Sequence, residues 1–344
     1  MKFEVFANGG CKSYMIGCEY SSIAAIIDPE VRLLDRYQAA AAQHGMRIHY
    51  VIDTHTHADH FSGTDELAKI LDIPIVMHRN SPAPFADMKV HDGDMLKIGD
   101  LRLQMMHTPG HTRDSMCLLA EDRLFTGDTL LIGGTGRTDL PTGDPDALYD
   151  SLFNGILTLD PELKVFPGHD YKQLGSSTIA AELADNARLQ KRDRAEFIDM
   201  MEHLNLSMPK HLTEALRTNM TGGKSVAQLL AHAAERTPFV SLSELAARVE
   251  RTDDDLIVLD VRERAEFEAG HIPGAAHVPR GQLELRVDDE LPDPTARIVT
   301  VCEFGKLSTL AAATLRDLGY LNTAALDGGF RSWREQGLPV TQDQ

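Results

Sequence analysis

The strongest constraint on this chain is the stretch Thr54-His55-Thr56-His57-Ala58-Asp59-His60, which puts three histidines and a carboxylate within six positions directly behind the apolar run Tyr50-Val51-Ile52. An apolar run of this kind predicts a buried strand, so the cluster is predicted where that strand runs out into a loop. Histidine and aspartate packed this densely have little purpose in a hydrophobic core, whereas imidazole and carboxylate are ligands of first-row metals. The segment therefore predicts a catalytic metal site.

Three further candidate ligands stand at the ends of strand-like segments, each framed by glycine or proline: Thr108-Pro109-Gly110-His111, Thr126-Gly127-Asp128 and Phe166-Pro167-Gly168-His169. Glycine lets the backbone approach a small site closely, and a strand end projects its side chain at the rim of a sheet. A single histidine carries little information. His44, His49, His78, His91, His203 and His232 lack this framing and are read as structural or solvent-facing. The cluster together with its three framed partners is read as one site.

The chain has 344 residues, enough for two domains with separate cores. Its 52 acidic and 34 basic residues give a formal charge of −18, which argues against nucleic acid or an anionic membrane as partner. No apolar run approaches membrane-spanning length, and Met1–Phe6 does not look like a signal peptide. Cys11, Cys18, Cys117 and Cys302 form no disulfide framework and no Cys-x-x-Cys pair. A reducing, cytoplasmic setting is expected, in which any functional cysteine acts as a free thiol.

Up to about Pro167 the pattern is strand-rich. Strands are predicted at 2–6, 13–18, 23–28, 47–53, 74–78, 101–107, 116–120 and 123–126, with helices at 31–44 and 64–71. A helical segment follows from about Ser176 to Leu230, broken at Thr221-Gly222-Gly223, and a compact α/β pattern begins near Phe239. There, strands are predicted at 256–261 and 298–302 and a helix at 306–318. The predicted domains are 1–235 and 236–344.

Over about residues 1–175 the ordered set of His55, His57, Asp59, His60, His111, Asp128 and His169 resembles the metallo-β-lactamase superfamily. That resemblance implies an αβ/βα sandwich with the metal at one edge of the paired sheets. Two branches of the superfamily use these residues differently. In dinuclear zinc hydrolases such as glyoxalase II, all seven would serve two ions, with Asp128 bridging them. In persulfide dioxygenases one Fe(II) would be held by His55, His111 and Asp128. This two-histidine, one-carboxylate face leaves adjacent positions for thiolate sulfur and O₂. His57, Asp59, His60 and His169 would then orient water and ligands around it.

Local motifs favour the dioxygenase branch. Gly136-Arg137-Thr138-Asp139-Leu140, followed by Gly143-Asp144, resembles a stretch typical of that family, as does His169-Asp170-Tyr171. Asn186-Ala187-Arg188-Leu189 and Leu204-Asn205-Leu206-Ser207-Met208-Pro209 resemble its helical tail. The resemblance implies glutathione persulfide and O₂ as substrates, with sulfite and glutathione as products. Arg137 and Tyr171 match positions that contact glutathione in the related enzymes, and Lys172 and Arg217 are further basic candidates.

In the second domain, Ile298-Val299-Thr300-Val301-Cys302 predicts a buried strand ending at a cysteine, with a helix starting a few residues later. A loop at a helix N-terminus points N–H groups inward, and these with the helix dipole favour an anionic sulfur, to which Lys306 adds charge. Three segments, Leu259–Glu263, Phe267–Ala275 and Leu326–Trp333, resemble the rhodanese family in its own order. The resemblance implies a smaller α/β domain with a parallel sheet, in which Cys302 carries a sulfane sulfur. Asp260, Arg262 and His271 are expected to hold that fold together. The family's loop, Cys-x-x-Gly-x-Arg, is altered here: Leu307 takes the arginine position and Glu303 follows the nucleophile.

The sequence thus predicts a persulfide dioxygenase fused to a rhodanese, exchanging sulfur with glutathione and with sulfite or thiosulfate. The alternative is a dinuclear zinc thiolester hydrolase whose rhodanese domain is a carrier or non-catalytic. Homo-oligomerisation is left open.

Overall fold

The computed structural model describes the whole chain except residues 205, 209–211, 252–254 and 343–344. It divides into two compact units, Met1–Gly223 and Lys224–Gln344.

The first unit is built on two six-stranded sheets. In one, β1 (Lys2–Asn8), β2 (Cys11–Cys18), β3 (Ile23–Ile27), β4 (Arg47–Ile52), β5 (Ile75–His78) and β6 (Met88–Val90) lie in chain order. Pairing is antiparallel from β1 to β3 and parallel from β3 to β6. The other sheet is formed by β7 (Met95–Ile98), β8 (Leu101–His107), β9 (Met116–Ala120) and β10 (Arg123–Gly127), then β13 and β14. Between β10 and β13 the chain makes a small hairpin of β11 (Leu130–Leu131) and β12 (Gly134–Thr135). Strand β13 (Lys164–Pro167) pairs parallel to β10, and β14 (Ser177–Thr178) forms the edge.

Strand periodicity explains the layering. On β2, Tyr14 and Ile16 face the core between the sheets while Met15 faces the outer layer with Tyr37 and Leu67. On β10 and β13, Phe125 and Phe166 enter the same inter-sheet core, whereas Leu124 and Val165 face Leu148, Phe197 and Met201 of the opposite outer layer. Both faces of both sheets are thus covered, which gives the αβ/βα sandwich.

Some predicted elements are refined. The helix expected over 31–44 opens as a 3₁₀ turn at Val31–Leu33 and becomes α-helical at Leu34–Gln43. The helical tail is several short pieces, including Ile179–Asp185, Arg194–Glu202 and Leu212–Thr221. Asn205 and Pro209 of the tail motif lie outside the described residues.

The second unit holds a five-stranded parallel sheet in the order β15-β19-β18-β16-β17. These are β15 (Phe239–Val240), β16 (Leu256–Asp260), β17 (Ala276–His277), β18 (Arg297–Val301) and β19 (Thr323–Leu326). The division falls between Gly223 and Lys224, ahead of the predicted border at 235/236, because helix Val226–Glu235 packs on helix Lys306–Asp317 of the second unit. Among the described residues, no helix is long and apolar enough to cross a membrane.

Candidate functional site

Strands β4, β8, β10 and β13 deliver the motif residues to one place, since His55, His111, Asp128 and His169 each follow a strand end by a few residues. An isolated bridge between Cys11 and His169 ties β2 to the same edge. Side-chain geometry sorts the donors into three groups, each with ligand atoms within 4.8 Å of one another: His55, His111 and Asp128; Cys11, Asp59, His60 and His169; and Asp28, Asp53 and His57.

The first group has its tautomers set by neighbours. The Thr54 hydroxyl donates to Asp28 Oδ2 at 2.8 Å, so its oxygen can only accept from His55 Nδ1 at 2.9 Å. His55 Nε2 therefore carries a lone pair. His111 Nδ1 lies 2.8 Å from the Arg137 carbonyl oxygen, an acceptor only, so Nε2 is the free lone pair there too. His111 Nε2 lies 3.7 Å from Asp128 Oδ2. Burial, with the neighbouring His57 and His111, holds His55 well below the ordinary imidazole range, consistent with a neutral ring.

His55 Nε2 is buried and meets no protein hydrogen-bond partner. An aimed lone pair without a partner is costly to bury, and a cation supplies the partner. Two neutral imidazoles and a carboxylate fit a first-row metal.

The second group adjoins it. His169 Nδ1 sits 2.8 and 2.9 Å from the two Asp128 oxygens, and its Nε2 lies 2.7 Å from Asp59 Oδ2. Burial opposes a charge on His169, but the two carboxylates outweigh it and hold the ring protonated well above its usual range. His60 Nδ1 lies 3.3 Å from Asp59 Oδ1, while its buried Nε2 has no hydrogen-bond partner. Cys11 Sγ is 3.4 Å from His169 Nε2. Burial resists ionisation of this thiol, yet the hydrogen bond with His169 and the nearby His60 ring bring it down to about 6.

His57 stands apart, facing Asp28 at 3.4 Å and Asp53 at 3.8 Å in a fully buried trio. Burial pushes the Asp53 carboxyl up to about 6, although the charge of His57 works the other way.

A cavity of about 490 Å³ opens over this centre, with Asp59, His111, Asp128 and His169 among its lining residues. The β11–β12 hairpin, Arg137, Tyr171, Lys172 and Arg188 wall it. Tyr171 stacks on His169 with ring centroids 5.4 Å apart. The Arg137 guanidinium is paired bidentately with Asp139 at 2.6 Å and also donates to the Ser207 carbonyl at 2.8 Å. Arg217 does not line the cavity. Gly136 has to be glycine: a Cβ there would lie 1.9 Å from the Asp128 carbonyl oxygen and 2.9 Å from His111 Nδ1.

Several contributors were not singled out in the sequence. Thr54 sets a tautomer, and Cys11 reaches the second group. Asn219 donates to the carbonyls of His57 and His60, both at 2.8 Å, and accepts from the Ser62 N–H at 3.1 Å, which locks the cluster loop. Arg188 donates to the Thr135 carbonyl at 2.6 Å and braces the hairpin. Thr54 adjoins the motif and could have been found. Asn219 carries no local signal.

In the second unit Cys302 follows β18 and is 2% exposed. Its sulfur accepts from the Ser308 N–H at 3.2 Å, with Ser308 Oγ at 3.4 Å. Gly329, at φ +67°, permits the turn behind it, because a Cβ would fall 2.5 Å from the Cys302 carbonyl oxygen. Glu303 is paired with Arg334 and faces Arg262 at 3.5 Å. Arg262 is itself held by Asp260 at 2.6 Å and by the Gly270 carbonyl at 2.8 Å. His271 stacks on Phe267 with centroids 3.9 Å apart. Lys306 is exposed and makes no ion pair among the described residues.

Comparison with known proteins matches residues 9–169 to the metallo-beta-lactamase superfamily and residues 241–336 to the rhodanese-like domain. Persulfide dioxygenase ETHE1 of Bos taurus is 36% identical over 224 residues, which is 64% of this chain and 87% of that protein. The crystal structure of ETHE1 from Myxococcus xanthus superposes with a TM-score of 0.63 at 39% identity, covering 65% of this chain and 100% of that one. A hydroxyacylglutathione hydrolase of Anaeromyxobacter dehalogenans is 39% identical over a shorter stretch of 149 residues, 43% of this chain and 57% of that protein.

Proposed function

The chain belongs to the ETHE1 family of the metallo-beta-lactamase superfamily and carries a rhodanese-like domain, and from this we propose that it is an iron-dependent persulfide dioxygenase joined to a sulfurtransferase. The first unit would convert glutathione persulfide, O₂ and water to glutathione and sulfite. The second would pass sulfane sulfur between glutathione, sulfite and thiosulfate through a persulfide on Cys302.

One observation carries the reading: the two imidazole lone pairs, fixed by Thr54 and by the Arg137 carbonyl, lie together with an Asp128 oxygen, and His111 and Asp128 line the cavity. Iron bound there would supply the redox chemistry of O₂ and a face for thiolate sulfur. The protein residues have other tasks. His55 and His111 would present neutral nitrogen, and Asp128 its charge. His169 keeps a proton between Asp128 and Asp59, fixing the orientation of the Asp128 carboxylate. His57, Asp59 and His60 would organise the loop and ordered water around that centre. Arg137, Lys172 and Arg188 line the cavity and would face the carboxylates of a tripeptide, with Tyr171 beside them. Lys306 would assist sulfur transfer at the Cys302 loop.

The neighbouring Cys11, Asp59, His60 and His169 group, with its unpartnered His60 nitrogen, is what favours the dinuclear zinc hydrolase as the second reading. The match to the hydrolase is confined to a shorter segment than the match to the dioxygenase. All four cysteines are free, which accords with a reducing, cytoplasmic setting.

Metal analysis of protein purified without added metal, combined with an oxygen electrode, tests the proposal. A single iron per chain and O₂ uptake that depends on glutathione persulfide are expected. A pair of zinc ions with thiolester cleavage and no O₂ uptake would refute it. For the second unit, Cys302→Ser should abolish sulfur transfer while leaving O₂ uptake intact.

A further inference from the structure

We propose that Glu303 is a positioning residue for Cys302: Arg334 and Arg262 draw its carboxylate onto themselves, which neutralises an acid that would otherwise oppose a thiolate on the preceding residue. The inference rests on the reading of Cys302 as a sulfur carrier and goes further by giving the altered loop residue a task.

An acid directly after a nucleophilic cysteine is unfavourable by itself, because a nearby carboxylate disfavours the anionic sulfur. Here the acid is met by two cations. One Glu303 oxygen is paired with Arg334, and the other faces the Arg262 guanidinium at 3.5 Å. The cations come from different elements, Arg262 from just after β16 and Arg334 from the helix Gly329–Glu335. Both guanidiniums lie over the buried Phe330 ring, 4.0 and 5.2 Å from its centre, so one side chain gathers them. Asp260 holds Arg262 from behind at 2.6 Å. Asp260, Arg262, Glu303 and Arg334 thus make a formally neutral chain of two acids and two bases. Of the other charged groups around the loop, Arg331 is paired with Glu335 at 2.8 Å, and Lys306 is exposed.

The main chain adds to the same grip. The Phe330 N–H donates to the Cys302 carbonyl at 2.8 Å, and the Arg331 N–H donates to the Glu303 carbonyl at 3.0 Å. The helix Gly329–Glu335 therefore holds residues 302 and 303 by their backbone and, through Arg334, by the Glu303 side chain. The Cys302 sulfur is left to accept from the Ser308 N–H at 3.2 Å.

Charge separates this role from simple propping. Arg334→Ala leaves Glu303 short of a partner and a net negative charge beside Cys302, so the thiolate should form at higher pH. Glu303→Gln leaves Arg334 without its carboxylate and a net positive charge, so the thiolate should form at lower pH. A pair that only propped the loop would be broken equally by either substitution, and both would move the thiol in the same direction.

The test follows alkylation of Cys302 by iodoacetamide against pH in the full chain, anaerobically, with peptide-resolved mass spectrometry. The midpoint is expected to rise by about half a pH unit in Arg334→Ala and to fall by about the same in Glu303→Gln. Arg334→Lys, which keeps the charge, should stay within about 0.2 unit of wild type. If Arg334→Ala does not fold, Arg334→Gln replaces it with the same expected sign. Shifts of the same sign in the two neutralising variants overturn the inference, as do midpoints of both within about 0.2 unit of wild type. Alkylation reads the thiol whether or not it carries sulfur. A Cys302 that alkylates as expected but never takes sulfur from glutathione persulfide would sink the carrier reading alone.

Discussion

Replacing Thr54 by valine keeps the volume of the side chain and removes only its hydroxyl, which makes it a direct test of how the metal centre is pre-set. That hydroxyl donates to Asp28 at 2.8 Å and accepts from His55 at 2.9 Å. Loss of a hydrogen bond to a carboxylate, with an imidazole N–H left buried and unpaired, destabilises by about 3 kcal/mol. For a unit of this size that is a fall in melting temperature of about 6–12 °C. Metal binding should suffer separately. Without the hydroxyl, His55 is free to adopt the tautomer with its proton on Nε2, the atom that has to face the cation, and loss of such an orienting group weakens metal affinity by about 10–100-fold. Anaerobic competition titration with Fe(II) or Co(II) measures this, and thermal melts of the metal-free chain measure stability. Thr54→Ser, which restores the hydroxyl, should recover affinity. If Thr54→Val melts lower yet binds metal within about threefold of wild type, the tautomer argument is wrong.

Other consequences can be checked independently. Asn219→Ala strands the carbonyls of His57 and His60 and the Ser62 N–H, and should destabilise the first unit by about 3 kcal/mol, with faster hydrogen exchange over residues 57–62. Burial pushes the Tyr37 phenol up to about 12, against hydrogen bonds with Ser13 and the Glu30 N–H. Its folded value lies above the unfolded one, so the contribution, about 3 kcal/mol, is complete below pH 10 and lost as pH rises through 12. Alkaline melts of Tyr37→Phe should accordingly show a shallower decline. Arg262→Ala leaves Asp260 buried without its partner and should destabilise the second unit by about 3–5 kcal/mol, read as a lower transition for that unit in calorimetry. An unchanged transition would remove the structural role assigned to Arg262.

The candidate ligand atoms are easier to read in the sequence than the groups that aim them. His55 is legible because it stands in a dense histidine cluster behind an apolar run, and His111 and Asp128 because a strand end framed by glycine is a local pattern; the alternation of Tyr14, Met15 and Ile16 between two cores is local too. Asn219 was not legible, since it reaches the cluster loop from 157 residues away along the chain. Cys11 was invisible for the same reason, as its bridge to His169 and the neighbouring backbone bonds to Gly168 and Asp170 bring it to the site from far along the chain. The border predicted at residue 236 followed a Thr-Pro signal, but packing of helix Val226–Glu235 on Lys306–Asp317 is a tertiary preference that no turn residue announces. Arg137 shows a subtler gap. Its side chain attracted attention as a cation, while its carbonyl is the group that fixes His111, and a backbone atom has no signature in residue identity.

That last point extends to both units. In the first, the free lone pairs of His55 and His111 are aimed by a hydroxyl and a peptide carbonyl; in the second, the Cys302 sulfur is held by the Ser308 N–H. Motifs name the candidate reacting atoms, but two of the three groups that aim them are main chain, and close backbone approach at glycines shapes both sites. Gly136 and Gly329 are such positions, each allowing a carbonyl to pass where a methyl group would collide. Substituting either glycine should therefore damage its own site without touching a ligand or a nucleophile. Gly136→Ala should weaken metal binding and Gly329→Ala should slow loading of Cys302, each leaving the activity of the other unit in place. If Gly136→Ala kept full metal affinity, backbone approach would not be what sets the first centre.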